Sequence, residues 1–151
     1  ALERLRRLAH GLIPLDVYER GLASALSDLA VTVNERPELA CTCECDENVE
    51  IGDSLVATQL HAIAQEAVTN AIKHSRADRI LISLHVNHEV VTLEICDDGQ
   101  GIPCKSGEMP GMGLRIMRYR AGLVSAVLDI QPADGGGTVV TCRMPKPTAP
   151  P

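Results

Sequence analysis

Four polar side chains that could act together lie within one otherwise apolar stretch. Glu66 and Asn70 are four residues apart, and Lys73 and His74 follow within the next turn. Residues three and four apart share one face of a helix, so this spacing aligns a carboxylate, an amide oxygen and cationic groups. Such a row is more often only the solvated face of an amphipathic helix, so it needs support from other motifs.

Two glycine patterns downstream give that support. Residues 97–101 read Asp-Asp-Gly-Gln-Gly after a strand-like run, and residues 111–114 read Gly-Met-Gly-Leu at the start of a helix-like run. Glycines let backbone N–H groups approach an anion closely, and a helix N-terminus adds favourable partial charge. Together with the polar row, these patterns suggest a nucleotide held with a metal ion.

One long helix must carry the polar row. Residues 53–75 have apolar side chains at helical spacing, which predicts a stripe that faces the core. The members of the stripe are Val56, Leu60, Ile63, Ala64, Ala67 and Ala71.

A predicted hairpin carries the first glycine pattern. Residues 79–86 and 90–97 are rich in β-formers and are separated by a short polar turn. A period of two places Asp97 on the same face as Val91, Leu93 and Ile95, so its carboxylate points inward. An inward carboxylate needs a hydrogen-bonding partner, and the exocyclic amine of adenine would be one.

The rest of the chain alternates helices and strands. The predicted elements are helices over 1–12 and 19–35, a strand over 41–45, a lid-like loop over 102–110, a helix over 113–123, and strands over 124–131 and 138–144. Thr138 begins the inward row of the last strand. The sequence therefore predicts an α+β fold, a two-layer sandwich with helices on one face of a mixed, mostly antiparallel sheet.

The amino-acid sequences of these motifs resemble those of a known superfamily. The segments QEAVTNAIKHS, DDGQGIP, GMGLRIM and GGGTVV are similar to the N, G1 and G2 boxes of GHKL ATP-binding domains, and most closely to sensor histidine kinases of the nitrate-sensor (NarX-like) class. The resemblance implies the Bergerat ATP-binding fold over residues 16–145. It also implies the end of a dimerisation helix and a linker over 1–15. The prolines near the C-terminus separately predict a disordered, proline-rich tail over 146–151.

The resemblance also implies roles for individual residues. Asn70 would bind Mg²⁺, Asp97 would accept from the adenine amine, and Glu66 would deprotonate or orient the attacking histidine. The other residues implied to contact ATP are Lys73, His74, Gly99, Gly101, Gly111, Gly113, Leu114 and Thr138.

The implied reaction moves the γ-phosphoryl group of ATP to a histidine on a dimerisation helix that this chain lacks, for relay to a response regulator. The fragment alone would then not phosphorylate itself, and the full-length protein would be a homodimer. Two alternatives remain, an anti-sigma-factor-type serine kinase of the same superfamily and a non-catalytic nucleotide-binding module.

Composition limits the partners. The net charge of −6 and the scattered Lys and Arg residues argue against nucleic acid. The lack of a long apolar run predicts a cytoplasmic segment without membrane contact, although its parent protein could be membrane-anchored. The six cysteines include no Cys-x-x-Cys pair, so we expect reduced core thiols rather than disulfides or a zinc site.

Overall fold

The computed structural model describes residues 21–46, 49–101 and 111–147. Its elements, in chain order, are α1 (Leu22–Asn34), β1 (Ala40–Cys45), α2 (Ser54–Asn70) with a π-helical turn (Ala71–Ser75), β2 (Arg79–Asn87), β3 (Val90–Asp97), α3 (Met112–Leu123), β4 (Val127–Pro132) and β5 (Thr138–Pro145). The helix predicted over 1–12 and the loop predicted over 102–110 lie outside the described residues.

The five strands form one mixed sheet in the order β1-β2-β3-β5-β4. The β1–β2 pair is parallel, and the other three pairs are antiparallel. In the β3–β5 register, Asp97 lies directly opposite Thr138. Directly opposed residues share a face of the sheet, so the pairing brings these two side chains together. The predicted fold class is confirmed.

The three described helices cover one face of the sheet. α1 packs on β1 and β2, α2 packs on β3, and α3 packs on α2 and β4. The helix stripe predicted from the sequence is buried along its whole length, as is the predicted face of β3. Polar side chains occupy the opposite face of the sheet, including Thr42, Glu44, Ser83, Thr92, Glu94 and Arg143. No helix of the described residues is long and apolar enough to cross a membrane.

Two elements begin about three residues later than the sequence predicts because of local backbone geometry. α1 begins at Leu22 rather than near residue 19, since its N-cap, Gly21, has a φ of 86°, which is not helical. β4 begins at Val127 rather than Val124, because Ser125 has a φ of 56° and belongs to a turn. Apolar periodicity does not report such turns, since Val124 and Ala126 still pack against the core.

Candidate functional site

The central helix begins and ends with specific backbone features. At its start, the Asp53 carboxylate accepts from the N–H groups of Leu55 and Val56 at 2.9 and 3.1 Å and caps the first turn. At its end, the helix widens into the π-helical turn and stops at Arg76, which has a left-handed φ of 52°. The predicted regular helix over 53–75 is therefore corrected in its last turn. π-Helical turns within helices often mark functional sites.

The π-helical turn places Ser75 beside Asp97, at the buried end of β3. Its hydroxyl donates to Asp97 Oδ1 at 2.6 Å, and the N–H of Gly99 donates to the same oxygen at 2.9 Å. Asp97 is buried, as its inward position predicted. Its first hydrogen-bond partners, however, belong to the protein itself. Within the described residues, Oδ2 receives no hydrogen bond and is left for another donor.

Ser75 also holds the first glycine loop. The Ser75 carbonyl accepts from the N–H of Gln100 at 2.7 Å, and its hydroxyl accepts from the N–H of Gly101 at 3.4 Å. A Cβ at position 99 would overlap the Ser75 backbone, so only glycine fits there. The sequence analysis missed Ser75. The signal was present, because one more four-residue step along the apolar stripe from Ala71 reaches it.

The closing strand supplies Thr138 beside this carboxylate. Thr138 is 4% exposed, and its Oγ1 has no hydrogen-bond partner among the described residues. A buried hydroxyl without a protein partner is costly, so it indicates a position at which a ligand or water would bind. The preceding residue, Gly137, has a φ of 97°, and a Cβ there would overlap the Asp97 carbonyl. Glycine at this position lets the chain pass close to β3.

A cleft lies between α2 and the β3–β5 pair. Its empty volume, including the open mouth, is about 280 Å³. Its lining consists of Ala67, Asn70, Ala71, Ser75, Ile95, Asp97, Thr138 and Val140. One end offers an acceptor and a hydroxyl, and the walls are aliphatic. This chemistry fits adenine, whose amine needs an acceptor and whose ring faces accept apolar contacts.

Glu66 and Asn70 lie against the start of α3. A Cβ at Gly113 would overlap Glu66 Oε1 and would stand 3.5 Å from Asn70 Oδ1. Glycine at this position therefore lets the N-terminus of α3 approach the polar row of α2. Gly111 is the N-cap of α3, and its surroundings are open. The two motifs that the sequence placed more than forty residues apart thus meet in space.

The remaining predicted site residues are not among those that line the cleft. Lys73 and His74 are exposed, and neither lines the cleft. Gly101 has a φ of 81°, and a Cβ added at this position would lie 3.3 Å from the Gly137 carbonyl oxygen. Leu114 is half-buried and packs against the core. Their contact with a nucleotide stays a prediction.

Two further polar contacts escaped the sequence analysis. The carboxylate of Asp98 accepts from the N–H groups of Asp78 and Arg79, each at 2.9 Å, and ties the glycine loop to the start of β2. These bonds, the one from Arg79 first, lower the pKa of Asp98. Arg120 of α3 donates to Gln59 of α2 at 3.0 Å and joins the two helices.

Comparison with known proteins identifies the family. Residues 55–148 match the family described as "Histidine kinase-, DNA gyrase B-, and HSP90-like ATPase". This match covers more than half of the chain. The chain belongs to this ATPase family.

The curated relatives of this ATPase domain include sensor kinases. The chain is 27% identical over 147 residues to the oxygen sensor histidine kinase NreB of Staphylococcus carnosus, covering 95% of this chain and 42% of the relative. It is 24% identical over 149 residues to the sensor histidine kinase LiaS of Bacillus subtilis, covering 96% and 40%. The chain therefore spans about two-fifths of the length of these relatives.

Solved structures share the fold of this ATPase domain. The histidine kinase domain of the blue-light activated kinase EL346 of Erythrobacter litoralis superposes with a TM-score of 0.71 at 24% identity, over 83% of this chain and 61% of that one. The ATP-binding domain of PrrB from Mycobacterium tuberculosis superposes with a TM-score of 0.67 at 22% identity, over 84% and 95%. At these identities the likeness concerns the fold.

Proposed function

We propose that this chain is the ATP-binding catalytic domain of a sensor histidine kinase. The observation that carries the proposal is the buried pair of Asp97 and Thr138, in which one carboxylate oxygen and one hydroxyl lack partners among the described residues and face an aliphatic cleft. Adenine would place its amine against Asp97, with Thr138 supporting that contact directly or through water.

The phosphates would then lie toward the N-terminus of α3. Asn70 lines the cleft on that side and supplies an amide oxygen, a ligand suited to Mg²⁺. The bound ion would neutralise phosphate charge during transfer. Backbone N–H groups at Gly111 and Gly113 would approach the phosphates, and Lys73 and His74 would face them from α2. Glu66, one turn before Asn70, would accept the proton of the attacking histidine or orient it.

The partners follow from this role. The phosphoryl acceptor would be a histidine on a dimerisation helix of the same protein, and a response regulator would receive the phosphoryl group in turn. The named curated relatives are sensor histidine kinases, which supports this role over a serine kinase of the anti-sigma type or a non-catalytic module. We also propose that the chain belongs to the nitrate-sensor-like subclass, on the basis of the sequence of the QEAVTNAIKHS segment alone.

The experiment separates binding from chemistry. Mg·ATP affinity is measured by calorimetry, and phosphoryl transfer is measured with the acceptor helix restored upstream of this chain. We expect Glu66→Gln to retain affinity within about twofold and to lose about 10²- to 10⁴-fold in rate, because a base acts only in the transition state. Asn70→Ala should weaken Mg·ATP binding.

Two results would contradict the proposal. An equal loss of affinity in both variants would make Glu66 a binding or structural residue. Failure of the unaltered chain to bind Mg·ATP would exclude the catalytic-domain function altogether.

A further inference from the structure

Three cysteines occupy alternate positions of β1, the edge strand beside α1. Cys41, Cys43 and Cys45 all face the helical layer, in register with Ile80, Ile82 and Leu84 of β2. All three are free thiols. Cys41 is buried, whereas Cys43 and Cys45 are half-exposed. The row therefore runs from the core toward solvent, and a small reagent can reach only its last two members.

The two outer thiols are close enough to react with each other. The Sγ atoms of Cys43 and Cys45 lie 3.6 Å apart. Residues two apart on a strand have Cα atoms separated by about 6.6 Å, which lies at the upper end of the range that disulfides span, roughly 4.4 to 6.8 Å. Because the two side chains point the same way, their Cβ atoms are also about 6.6 Å apart, beyond the roughly 3.5 to 4.5 Å that a disulfide allows. A bond between these sulfurs therefore requires the end of β1, an edge strand, to bend locally and bring the two Cβ atoms about 2 Å closer.

The protein environment distinguishes the two sulfurs. The pKa of Cys43 is lowered to about 7, first because the Cys45 thiol donates to it and further because Ser27 does. The pKa of Cys45 is raised by that same hydrogen bond and by burial. Near pH 7 a substantial fraction of Cys43 is thus ionised, while Cys45 keeps its proton. Thiolates are the reactive form of cysteine.

We propose that Cys43 and Cys45 form a modification site at which a small hydroperoxide oxidises the pair to a disulfide within β1. The Cys43 thiolate attacks one peroxide oxygen, which forms an S–O bond, breaks the O–O bond and releases hydroxide. Cys45 then attacks the sulfenic sulfur, which forms the S–S bond and breaks the S–O bond, and its proton leaves with the hydroxide as water. Two thiols lose two electrons and two protons, and hydrogen peroxide becomes two molecules of water.

The other described thiols are poorer reactants. Burial raises the pKa of both Cys41 and Cys142 to about 11. Burial also raises the pKa of Cys96, which lies on the opposite face of the sheet, between Leu81 and Val139. The proposed site lies on β1, whereas the nucleotide cleft is formed by α2, β3 and β5. It is therefore separate from the ATP site and does not depend on the proposed kinase function.

The test uses the complete 151-residue chain and hydrogen peroxide. The reduced chain is treated with one equivalent of peroxide, quenched with N-ethylmaleimide, and weighed intact by mass spectrometry. It is then unfolded and cleaved after glutamate, because Glu44 lies between the two cysteines. We expect a monomer that lacks two hydrogen atoms, escapes alkylation at two thiols, and yields residues 39–44 joined to the peptide that begins at Cys45.

Two variants identify the bond. Cys41→Ser should form the same link, because Cys41 takes no part in it. Cys45→Ser should instead accumulate oxygen on Cys43, since the resolving thiol is missing, and far-ultraviolet circular dichroism would verify its folding. The proposal is overturned if the unaltered chain stays fully alkylatable, gains oxygen without a link, joins a second chain, or forms a link that depends on any other cysteine.

Discussion

Asp97 divides its two carboxylate oxygens between the protein and the cleft. Oδ1 is committed to Ser75 and Gly99, which fixes the orientation of the carboxylate. Oδ2 is left for a ligand donor. A sequence pattern can assign an inward carboxylate to adenine, but it cannot show that a serine twenty-two residues earlier orients that carboxylate.

The first prediction concerns Asp97→Asn. The amide oxygen can still accept from Ser75, so the amide nitrogen would face the cleft and present a donor to the adenine amine. The resulting buried mismatch should cost roughly 1 to 3 kcal/mol, or about five- to 150-fold in affinity for an ATP analogue, while the domain stays folded. Titration calorimetry measures this change. An unchanged dissociation constant in a folded variant would remove Asp97 from the adenine site.

The second prediction concerns Ser75→Ala. Loss of the hydroxyl leaves Asp97 Oδ1 with the Gly99 N–H as its one remaining donor among the described residues and weakens the anchoring of Gly101. Affinity for an ATP analogue should therefore fall by about tenfold, the equivalent of one hydrogen bond. The matched control is Ser83→Ala, which removes a buried hydroxyl from the opposite face of the sheet and should leave affinity unchanged. Equal affinity of both variants for the analogue would show that Ser75 has only a structural role.

The third prediction concerns pH and Asp98. Because its pKa is lowered in the folded state, its contribution to stability is present above the ordinary value of 3.8 and is lost as pH falls through the folded pKa. Asp98→Ala should therefore lower the thermal midpoint at pH 7, and the difference from the unaltered chain should shrink in acid below pH 3.8. Melting curves across pH 2 to 7 measure it. A difference independent of pH would contradict the assignment.

The contact between α2 and α3 brings the proposed catalytic carboxylate and the proposed phosphate-binding glycines together. The N-terminus of α3 approaches Glu66 closely because position 113 carries no side chain. The hydrogen bond from Arg120 to Gln59 joins the same two helices farther along. Glycine at position 113 therefore permits close packing of α3 on α2, and the proposed second role of this glycine pattern is to offer backbone N–H groups to phosphate.

The fourth prediction compares two glycines of α3. In Gly113→Ala the new methyl group would meet the flexible end of Glu66, so stability should change little while the carboxylate is displaced. With the acceptor helix restored, we expect phosphoryl transfer to fall at least about tenfold. The control Gly122→Ala adds a methyl group in open space and should stabilise the helix by up to about 1 kcal/mol without affecting transfer. Normal transfer by Gly113→Ala would show that Glu66 does not need its present position.

At the level of the whole chain, the proposed function assigns nucleotide binding to this domain and phosphoryl acceptance to a separate helix. The 151-residue chain spans about two-fifths of the relatives named above. Its one N-terminal histidine, His10, lies outside the described residues. The sequence places Gly11 directly after His10 and Pro14 four positions on, a pattern that predicts the end of a helix.

The fifth prediction follows from that arrangement. An acceptor histidine must be exposed in the middle of a helix. The sequence instead predicts that His10 lies at the end of one. This chain, incubated with labelled Mg·ATP, should bind nucleotide but acquire no acid-labile phosphate. Stoichiometric labelling that disappears in a His10→Gln variant would contradict both this expectation and the proposal that the acceptor helix lies elsewhere.

The local spacing of apolar and polar residues was enough to predict several elements and site residues of this protein. The apolar residues of α2 recur with a period of 3.6 and those of β3 with a period of 2. These periods arise because one face of each element is buried, so they can be recognised in the sequence without coordinates. The same holds for Asp97 and Thr138, whose inward directions follow from their strands. Glu66 and Asn70 were likewise paired by helix geometry alone.

Tertiary structure decided the contacts between distant segments. The β3–β5 register sets Asp97 opposite Thr138, the π-helical turn brings Ser75 to Asp97, and the packing of α3 brings Gly113 to Glu66. None of these contacts follows from spacing, because each depends on how far one element shifts or rotates against another. The pairing of Cys43 with Cys45 is an intermediate case, since the strand period fixes their common face while side-chain packing sets their 3.6 Å separation.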